Sequence, residues 1–293
     1  MYQTLRSCPI CEHNEFKNFL IGKDHLVTNE SFAIVTCGQC GFKFTNPRPS
    51  PEELHKYYQS DEYISHQSNA TNPLDWIYKL ARRYAIYQKL RWISRLDVDG
   101  KTMLDYGCGT GTFLHAAETR GWLATGIEPN DVAAKQAATE TIQILPQIRS
   151  LESGQNFNII TLWHVLEHVS DLNQVLEKLK NVLSPKGCMI IAVPNCASFD
   201  AQAYGEYWAA YDLPRHLYHF TKATIAKLLQ NHQLKIVNTL PLKLDAYYIS
   251  LISEKYKGQS NAFFTAIKSG RRSNQYAKQN HQNYSSLIYL IRK

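Results

Sequence analysis

The sequence lacks any run of apolar residues long enough to cross a membrane, which would take about eighteen in succession. The first residues, Met1–Arg6, also lack the apolar core of a signal peptide. We therefore predict no membrane span, no signal peptide and a cytoplasmic location. Both positive and negative residues are present, and the net charge of +7 is compatible with an anionic partner but does not require one.

Cysteine is scarce, and four of the seven cysteines form two C-x-x-C pairs. Disulfides are not expected in a cytosolic chain, and a thioredoxin-like redox site would need one pair ahead of a helix rather than two pairs. Four thiolates suit tetrahedral zinc. We therefore predict a small zinc ribbon in which the metal is structural and takes no part in the chemistry. Its ligands would be Cys8, Cys11, Cys37 and Cys40.

A glycine-rich segment follows a short apolar strand and leads into a helix-like run. It reads Leu-Asp-Tyr-Gly-Cys-Gly-Thr-Gly, with Gly107, Gly109 and Gly111 at alternate positions. The segment lacks the G-x-G-x-x-G spacing of dinucleotide sites and the Lys-Ser/Thr of a phosphate loop. Glycines permit a sharp turn and a close approach of the ligand to the backbone. Asp105, two residues earlier, would repel a pyrophosphate and attract a cationic ligand.

This octet resembles motif I of the class I S-adenosylmethionine (SAM)-dependent methyltransferases. Glu128, at the end of the next predicted strand, matches the family's carboxylate that holds both ribose hydroxyls. A carboxylate can accept both of those hydrogen bonds. The resemblance implies SAM as the cofactor, held by Asp105, Gly107, Gly109, Gly111 and Glu128.

Predicted strands and helices alternate from residue 102 onward, which is typical of a doubly wound α/β sheet. The predicted strands are 102–107, 123–128, 142–145, 157–163, 187–194, 234–242 and 285–292. The predicted helices are 111–120, 131–139, 171–183 and 221–231. The resemblance implies a Rossmann-like sheet of seven strands with the last one antiparallel. We expect a zinc ribbon at 1–48, a helical lead-in at 49–100 and a methyltransferase domain at 101–293, whose insertion 243–284 would serve as a substrate lid or an oligomer contact.

The fourth predicted strand ends in Trp-His-Val-Leu-Glu-His-Val, which resembles motif IV of a subgroup of the same family. The resemblance implies that the backbone carbonyls of Leu162 and Trp163 face the methionine amino group of SAM. It also implies that His164 and the side chains after it face the methyl group. Glu167 and His168 are therefore candidate catalytic residues, with Glu167 either orienting an imidazole or acting itself.

A second block, Pro-Arg-His-Leu-Tyr-His-Phe-Thr, lies at residues 214–221. It resembles a block of bacterial small-molecule methyltransferases that also carry an N-terminal pair of C-x-x-C units, among them sugar C-methyltransferases. His216 and His219 join His164 and His168 as candidate bases, since imidazole titrates near neutral pH. Tyr211 and Arg215 are candidates for orienting the substrate. The alternative is that one histidine caps the helix that Thr221 begins.

Three functions fit these patterns. The leading one is methyl transfer from SAM to an oxygen or carbon atom of a small molecule, such as a sugar or an envelope-glycan precursor. The second is RNA methylation with the zinc ribbon binding RNA. The Asn/Asp-Pro-Pro-Tyr motif of amino-group methylation is missing, so nucleic acid is not the expected partner. The third is a non-catalytic SAM-binding protein. The acceptor atom and the oligomeric state stay open.

Overall fold

A computed structural model describes residues 1–58, 73–152 and 154–293, with no account of the side chains of residues 73–79. Part of the predicted lead-in, residues 59–72, therefore lies outside the described residues. The chain forms two compact units. Unit 1 contains residues 1–64, 164–173 and 192–289, and unit 2 contains residues 65–163, 174–191 and 290–293.

The amino-terminal elements are short strands followed by one helical turn. They are β1 (Tyr2–Gln3), β2 (Phe16–Lys23), β3 (Ser31–Cys37), β4 (Lys43–Thr45), β5 (Arg48–Pro49) and α1 (Pro51–Leu54). Proline occupies the first position of α1, where its missing N–H costs no hydrogen bond.

The central elements alternate between helices and strands. They are α2 (Pro73–Ile93), β6 (Thr102–Tyr106), α3 (Thr112–Glu118), β7 (Leu123–Ile127), α4 (Asp131–Ala137), β8 (Gln143–Leu145), β9 (Phe157–Trp163), α5 (Leu172–Val182) and β10 (Leu183–Pro194). Most of the predicted bounds differ from these by one or two residues. The exception is β10, which begins at Leu183, four residues before the predicted start.

The carboxyl-terminal elements are mostly helical. They are α6 (Phe199–Tyr204), β11 (Tyr218–His219), α7 (Lys222–Asn231), β12 (Lys235–Pro241), α8 (Asp245–Tyr256), α9 (Ala262–Gln279) and β13 (Ser286–Arg292). Helix α7 begins where the sequence predicts: Thr221 accepts a hydrogen bond from the backbone N–H of Thr224, so its hydroxyl caps the helix and no histidine is needed there.

The described residues form a seven-stranded sheet in the order β12-β13-β10-β9-β6-β7-β8. Strands β6, β7, β8 and β9 run parallel, and the last strand is antiparallel, which confirms the predicted fold class. The register places Asp105 opposite both Gly126 and Thr161. Because parallel strands end at the same edge, the glycine loop after β6 and the residues after β7 lie at one edge of the sheet.

Unit 1 contains a second, antiparallel sheet in the order β11-β4-β3-β2. Strand β11 pairs with β4 so that Tyr218 faces Phe44 and His219 faces Lys43. The ring of Phe42 stacks on Tyr218, with centroids 5.8 Å apart. The amino-terminal strands thus share a core with a strand that lies about 170 residues later in the chain.

The predicted insertion 243–284 contains the helices α8 and α9, which pack closely within unit 1. Gly270 permits this contact, because a Cβ there would lie 2.9 Å from the Cα of Tyr247. The buried carboxylate of Asp200 accepts hydrogen bonds from Trp208, Ser273 and Ser285, so it joins three segments of the unit. Within the described residues, no helix is both long and apolar enough to cross a membrane.

Candidate active site

The glycine loop of unit 2 combines a glycine packed against a helix with one that has open space beside it. Gly107, Gly109 and Gly111 have φ values of 73°, 53° and 73°, in the left-handed region that favours glycine. A Cβ on Gly111 would lie 2.7 Å from the Cα of Ala137, so this glycine lets the loop pack against α4. A Cβ on Gly109 would meet no described atom within 4 Å, so the backbone there is open to a ligand.

Glu128 is half-buried beside this open backbone. One carboxylate oxygen accepts a hydrogen bond from the Gly109 N–H at 2.9 Å, and the other accepts one from the Asn130 N–H at 2.9 Å. A carboxylate can accept about four hydrogen bonds. The loop therefore fixes the orientation of Glu128 and leaves acceptor capacity for two further donors, as a pair of hydroxyl groups would provide.

Asp105 differs from Glu128 because it is buried, with 3% of its surface exposed. Burial raises the pKa of its carboxyl group to about 7, although the hydrogen bond from the Thr161 hydroxyl at 2.6 Å favours the ionised form. The positive charge of Lys89 also favours ionisation. A cationic ligand would stabilise this carboxylate further.

Lys89 and Trp163 are features of unit 2 that the sequence did not single out as a pair. The Lys89 Nζ lies 4.0 Å from the centroid of the Trp163 ring, within the range of a cation–π contact. The indole N–H of Trp163 is buried and has no hydrogen-bond partner among the described residues. Lys89 is one of several basic residues in the predicted helical lead-in, so the sequence pattern alone does not distinguish Lys89 from the others.

The chain continues from Trp163 into a constrained histidine of unit 1. His164 has a φ of 57°, which is uncommon for a residue with a side chain. Its Nδ1 lies 3.3 Å from Glu167 Oε1 and its Nε2 lies 3.0 Å from Asp245 Oδ2. Burial lowers the pKa of His164, but the hydrogen bonds to Asp245 and Glu167 outweigh it and raise that pKa to about 10. At neutral pH this imidazole carries both protons and cannot act as a base.

Glu167, His168 and His216 form a buried cluster in unit 1. Ligand atoms from the three side chains lie within 4.8 Å of one another, and the two imidazole rings meet edge to face with centroids 4.5 Å apart. Glu167 is 1% exposed, and its Oε2 has no hydrogen-bond partner among the described residues. The sequence predicted each of these residues as a catalytic candidate, and the fold brings the three together.

A backbone carbonyl lies beside Nδ1 of each imidazole. Nδ1 of His168 lies 3.1 Å from the Arg215 carbonyl oxygen and 3.0 Å from the Tyr58 hydroxyl, and Nδ1 of His216 lies 2.8 Å from the Ala210 carbonyl oxygen. A carbonyl can only accept, so these contacts favour an Nδ1 that donates in each ring; Nε2 of His216 then faces Asp212 Oδ2 at 3.9 Å. Burial lowers the pKa of His168 to about 4, so this ring is neutral at physiological pH.

His219 lies apart from this cluster, in strand β11. Its side chain is buried, and its Nε2 lies 3.2 Å from the Thr45 hydroxyl. Burial lowers the pKa of His219 well below its usual value, and the nearby His216 and Lys43 act in the same direction. The ring also packs edge to face on Tyr211. These contacts are those of a neutral core histidine.

Arg215 is held by carboxylates of unit 1 rather than exposed to a ligand. Its guanidinium donates to Asp24 at 3.0 Å, to Asp212 at 2.8 Å and to the Tyr57 carbonyl at 2.8 Å. Only 1% of the residue is exposed. A buried cation with all of these partners positions the backbone around it, including the carbonyl that orients His168.

The four cysteines of the C-x-x-C pairs converge in unit 1. Cys8 Sγ lies 3.6 Å from Cys40 Sγ, Cys11 Sγ lies 3.5 Å from Cys37 Sγ, and all four sulfurs lie within 4.8 Å of one another. Tetrahedral zinc with Zn–S bonds of about 2.3 Å would separate its sulfurs by about 3.8 Å. The donor set and its spacing therefore fit a tetrahedral zinc ion.

The mostly parallel sheet, the open glycine loop and the half-buried carboxylate after the next strand are typical of an α/β enzyme of the SAM-dependent methyltransferase class. The chain belongs to the methyltransferase family: a family model described as a methyltransferase domain matches residues 78–239. The chain is thus an S-adenosylmethionine-dependent methyltransferase.

Curated relatives are similar over about half of the chain. The ubiquinone biosynthesis O-methyltransferase of Coxiella burnetii (strain RSA 493 / Nine Mile phase I) is 27% identical over 168 residues, which cover 55% of this chain and 68% of that protein. The protein of the same name from Rhodopseudomonas palustris (strain TIE-1) is 28% identical over 153 residues, or 48% of this chain and 60% of that protein.

Solved structures share the fold at low sequence identity. The magnesium protoporphyrin IX methyltransferase of Synechocystis PCC 6803, solved with bound SAH (S-adenosylhomocysteine), has a TM-score of 0.54 at 13% identity and covers 83% of this chain and 100% of its own. A mycolic acid cyclopropane synthase solved with SAH and CTAB has a TM-score of 0.50 at 14% identity and covers 73% of this chain and 85% of its own. At these identities the likeness concerns the fold alone.

Proposed function

We propose that this enzyme transfers the methyl group of SAM to an oxygen atom of a small hydroxylated molecule, such as a sugar or an envelope-glycan precursor. The observation that carries the proposal is the Glu167–His168–His216 cluster, in which two imidazoles lie beside a buried carboxylate with one oxygen that has no hydrogen-bond donor among the described residues. The curated O-methyltransferase relatives favour oxygen over carbon as the acceptor atom.

SAM would bind in unit 2, at the open face of the glycine loop. Glu128 would accept hydrogen bonds from the two ribose hydroxyls, and Gly109 would allow the ligand close to the backbone. The ionised Asp105 would attract the cationic amino group, together with the carbonyls of Leu162 and Trp163. These roles agree with the half-buried Glu128 carboxylate, whose acceptor capacity is only partly used.

Lys89 would bind the carboxylate of the methionine moiety. Its ammonium group already lies over the Trp163 ring and is near enough to lower the pKa of Asp105. A cation for the carboxylate and an anion for the amino group would together recognise the zwitterionic end of SAM.

The chemistry is an in-line displacement at the methyl carbon. The new bond to the acceptor oxygen forms as the bond to the sulfonium sulfur breaks, and S-adenosylhomocysteine leaves as a neutral thioether. The protein has to align the two reactants, and it has to remove the proton of the acceptor hydroxyl or weaken its O–H bond. We assign the second task to the cluster of Glu167, His168 and His216, because His164 is already protonated and His219 is bonded within the core.

The four cysteines would hold a structural zinc ion. Their spacing fits a tetrahedral site, and the ion would link the two C-x-x-C turns to one another. The zinc would supply no step of the reaction. It would fix the backbone of the first forty residues.

Methyl-labelled SAM tests the proposed function. The protein would be incubated with labelled SAM and with pools of sugars, lipid-linked glycan precursors, phenols and total RNA, and the products would be separated by class. We expect label in a hydroxylated small molecule as an acid-stable methyl ether. Label confined to RNA would replace the proposal with RNA methylation, and bound SAM without labelled product in any pool would replace it with a non-catalytic role.

A further inference from the structure

We propose that Glu167, His168 and His216 bind a divalent transition-metal ion, such as Zn²⁺, Fe²⁺ or Co²⁺, at a site separate from the four cysteines. The proposal deepens the proposed function and rests on it for one point, namely that the ion would bind the acceptor's oxygen. The binding itself follows from the three side chains alone.

The ligand set has the chemistry of a metal site. Two imidazoles and one carboxylate place their ligand atoms within 4.8 Å of one another, all from unit 1. Sites of two histidines and one carboxylate hold zinc in several hydrolases and ferrous iron in oxygenases, with the remaining positions open. Imidazole ligands disfavour Mg²⁺ and Ca²⁺, which prefer oxygen.

Each imidazole is oriented as metal-binding histidines usually are. Nδ1 of His168 lies beside the Arg215 carbonyl and the Tyr58 hydroxyl, and Nδ1 of His216 lies beside the Ala210 carbonyl, so the tautomer that donates from Nδ1 leaves Nε2 of each ring for the ion, with Asp212 Oδ2 3.9 Å from Nε2 of His216. The Arg215 backbone is itself fixed by the ion pairs of its guanidinium with Asp24 and Asp212. The outer groups that would hold the imidazoles in place are therefore present before any ion binds.

The carboxylate supplies an observation independent of the histidines. Glu167 Oε1 is held by His164, whereas Oε2 is buried and has no donor among the described residues. A buried carboxylate oxygen without a donor is costly, and native structures rarely leave one unsatisfied. A metal ion would be the missing partner of Oε2, and His164 would keep the carboxylate turned toward it.

Three protein ligands would leave at least one coordination position for an oxygen atom of water or of the acceptor. A metal ion lowers the pKa of a bound hydroxyl group. The acceptor's hydroxyl would then become more acidic by binding to the ion, and its proton would leave to solvent water rather than to an imidazole.

Cobalt binding tests the site without any enzymatic assay. Full-length protein whose cysteine site is filled with zinc would be titrated with Co²⁺ and followed by calorimetry and visible absorption. Cobalt does not displace zinc from thiolates at equilibrium, because zinc binds more tightly. We expect one additional Co²⁺ per chain, with d–d absorption and without the sulfur-to-cobalt charge-transfer band of a thiolate site.

Variants locate the ion. His168→Gln and His216→Gln should each weaken Co²⁺ binding by at least about 100-fold, since loss of an outer-shell partner alone costs roughly 10–100-fold. His281→Gln removes an exposed histidine and should leave the affinity unchanged. Circular dichroism and the Tm would establish that each variant is folded. Using both histidine variants keeps the test informative if one of them does not fold.

No Co²⁺ bound beyond the zinc, or full Co²⁺ affinity in both histidine variants, would overturn the proposal. Labelled-SAM assays separate this result from a failure of the proposed function. If protein without an ion in the cluster still methylates its acceptor at the full rate, the role of the ion in the reaction is disproved and the methyltransferase function stands. If Co²⁺ binds as expected but no acceptor is methylated, the metal site stands and its assigned role is lost.

Discussion

Asp105 and Glu128 lie at the same edge of the sheet but differ in burial, and their chemistry differs accordingly. Glu128 is half-buried and accepts hydrogen bonds from two backbone N–H groups, whereas Asp105 is buried with a single hydroxyl donor. The first is suited to neutral hydroxyl groups. The second is suited to a cation, because a positive charge would repay the cost of ionising a buried carboxyl group.

Replacing Glu128 by alanine should weaken SAM binding. Each hydrogen bond from a hydroxyl to a charged carboxylate contributes about 1.5–3 kcal/mol, so losing one of them should raise the Kd about 10–100-fold. Isothermal titration calorimetry measures the change. Glu140→Ala, which removes an exposed carboxylate of the same unit, is the matched control. Equal SAM affinity in both variants would remove Glu128 from the cofactor site.

Asp105 should make SAM binding depend on pH. Its pKa of about 7 exceeds that of a free aspartic acid, which is about 4. Between about pH 4 and pH 7 the folded protein without ligand therefore keeps a proton on Asp105 that the unfolded chain has already released. Stability conferred by that proton is present below about pH 4 and is lost as the pH rises through about 7.

A cationic ligand binds the ionised carboxylate, so SAM affinity should rise from about pH 5 to pH 7 by up to about tenfold per pH unit. Asp105→Asn should remove this pH dependence and also lower the affinity at pH 7. Calorimetry at several pH values provides the measurement, with Thr161→Val as a companion that raises the pKa further. An Asp105→Asn variant with the same pH profile as the parent would contradict this assignment.

At the scale of elements, the two helices of the segment 243–284 contribute a residue to the candidate active site. Helix α8 begins at Asp245, whose carboxylate holds Nε2 of His164 across 81 positions of the sequence. The contact between α8 and α9 therefore stabilises the helix whose first residue holds His164 in its protonated state.

Gly270→Ala should separate α8 from α9. Alanine usually stabilises a helix interior by about 1 kcal/mol over glycine, but here its Cβ would lie 2.9 Å from a backbone atom of Tyr247. We expect a net loss of about 1–3 kcal/mol from overpacking. Thermal denaturation measures it, with the exposed Thr265→Ala on the same helix as the control. A higher Tm for Gly270→Ala would show that the helices can move apart freely.

The sequence predicts the elements of the sheet well because alternating apolar strands and helices have strong patterns. It does not predict α8 and α9, since Tyr, Ser, Lys and Gln dominate this segment and obscure a helical face. It also does not predict β11, because two residues form too short a pattern. The orientation of the His168 and His216 rings cannot be predicted from the sequence either, because it depends on carbonyls that only the folded chain brings near each ring.

At the scale of the whole molecule, the cysteine site and the histidine cluster belong to the same compact unit, whereas the glycine loop belongs to the other. Events that destabilise unit 1 should therefore affect acceptor chemistry before they affect cofactor binding. Cofactor binding and methyl transfer to the acceptor can therefore be measured separately in one protein.

Removing zinc should lower turnover more than it lowers SAM affinity. Cys8→Ser would leave three thiolates and weaken a metal whose binding contributes directly to folding. We expect loss of zinc by metal analysis, a lower Tm and reduced methyl transfer, with SAM affinity within a few-fold of the parent. Ser7→Ala, at the exposed neighbouring position, is the control. A zinc-free variant with unchanged Tm and turnover would contradict the structural role.

The pairing of β11 with β4 has a consequence for how such a gene can change. Strand β4 (Lys43–Thr45) pairs with strand β11 (Tyr218–His219) in one sheet, so the cysteine region does not form a structurally independent module. A shortened protein starting near residue 101 would retain β11 without its partner strand and would leave Phe220 without the ring of Phe42. We expect recombination that exchanges roughly the first fifty codons to give a folded protein only when the codons for residues 214–221 are exchanged with them.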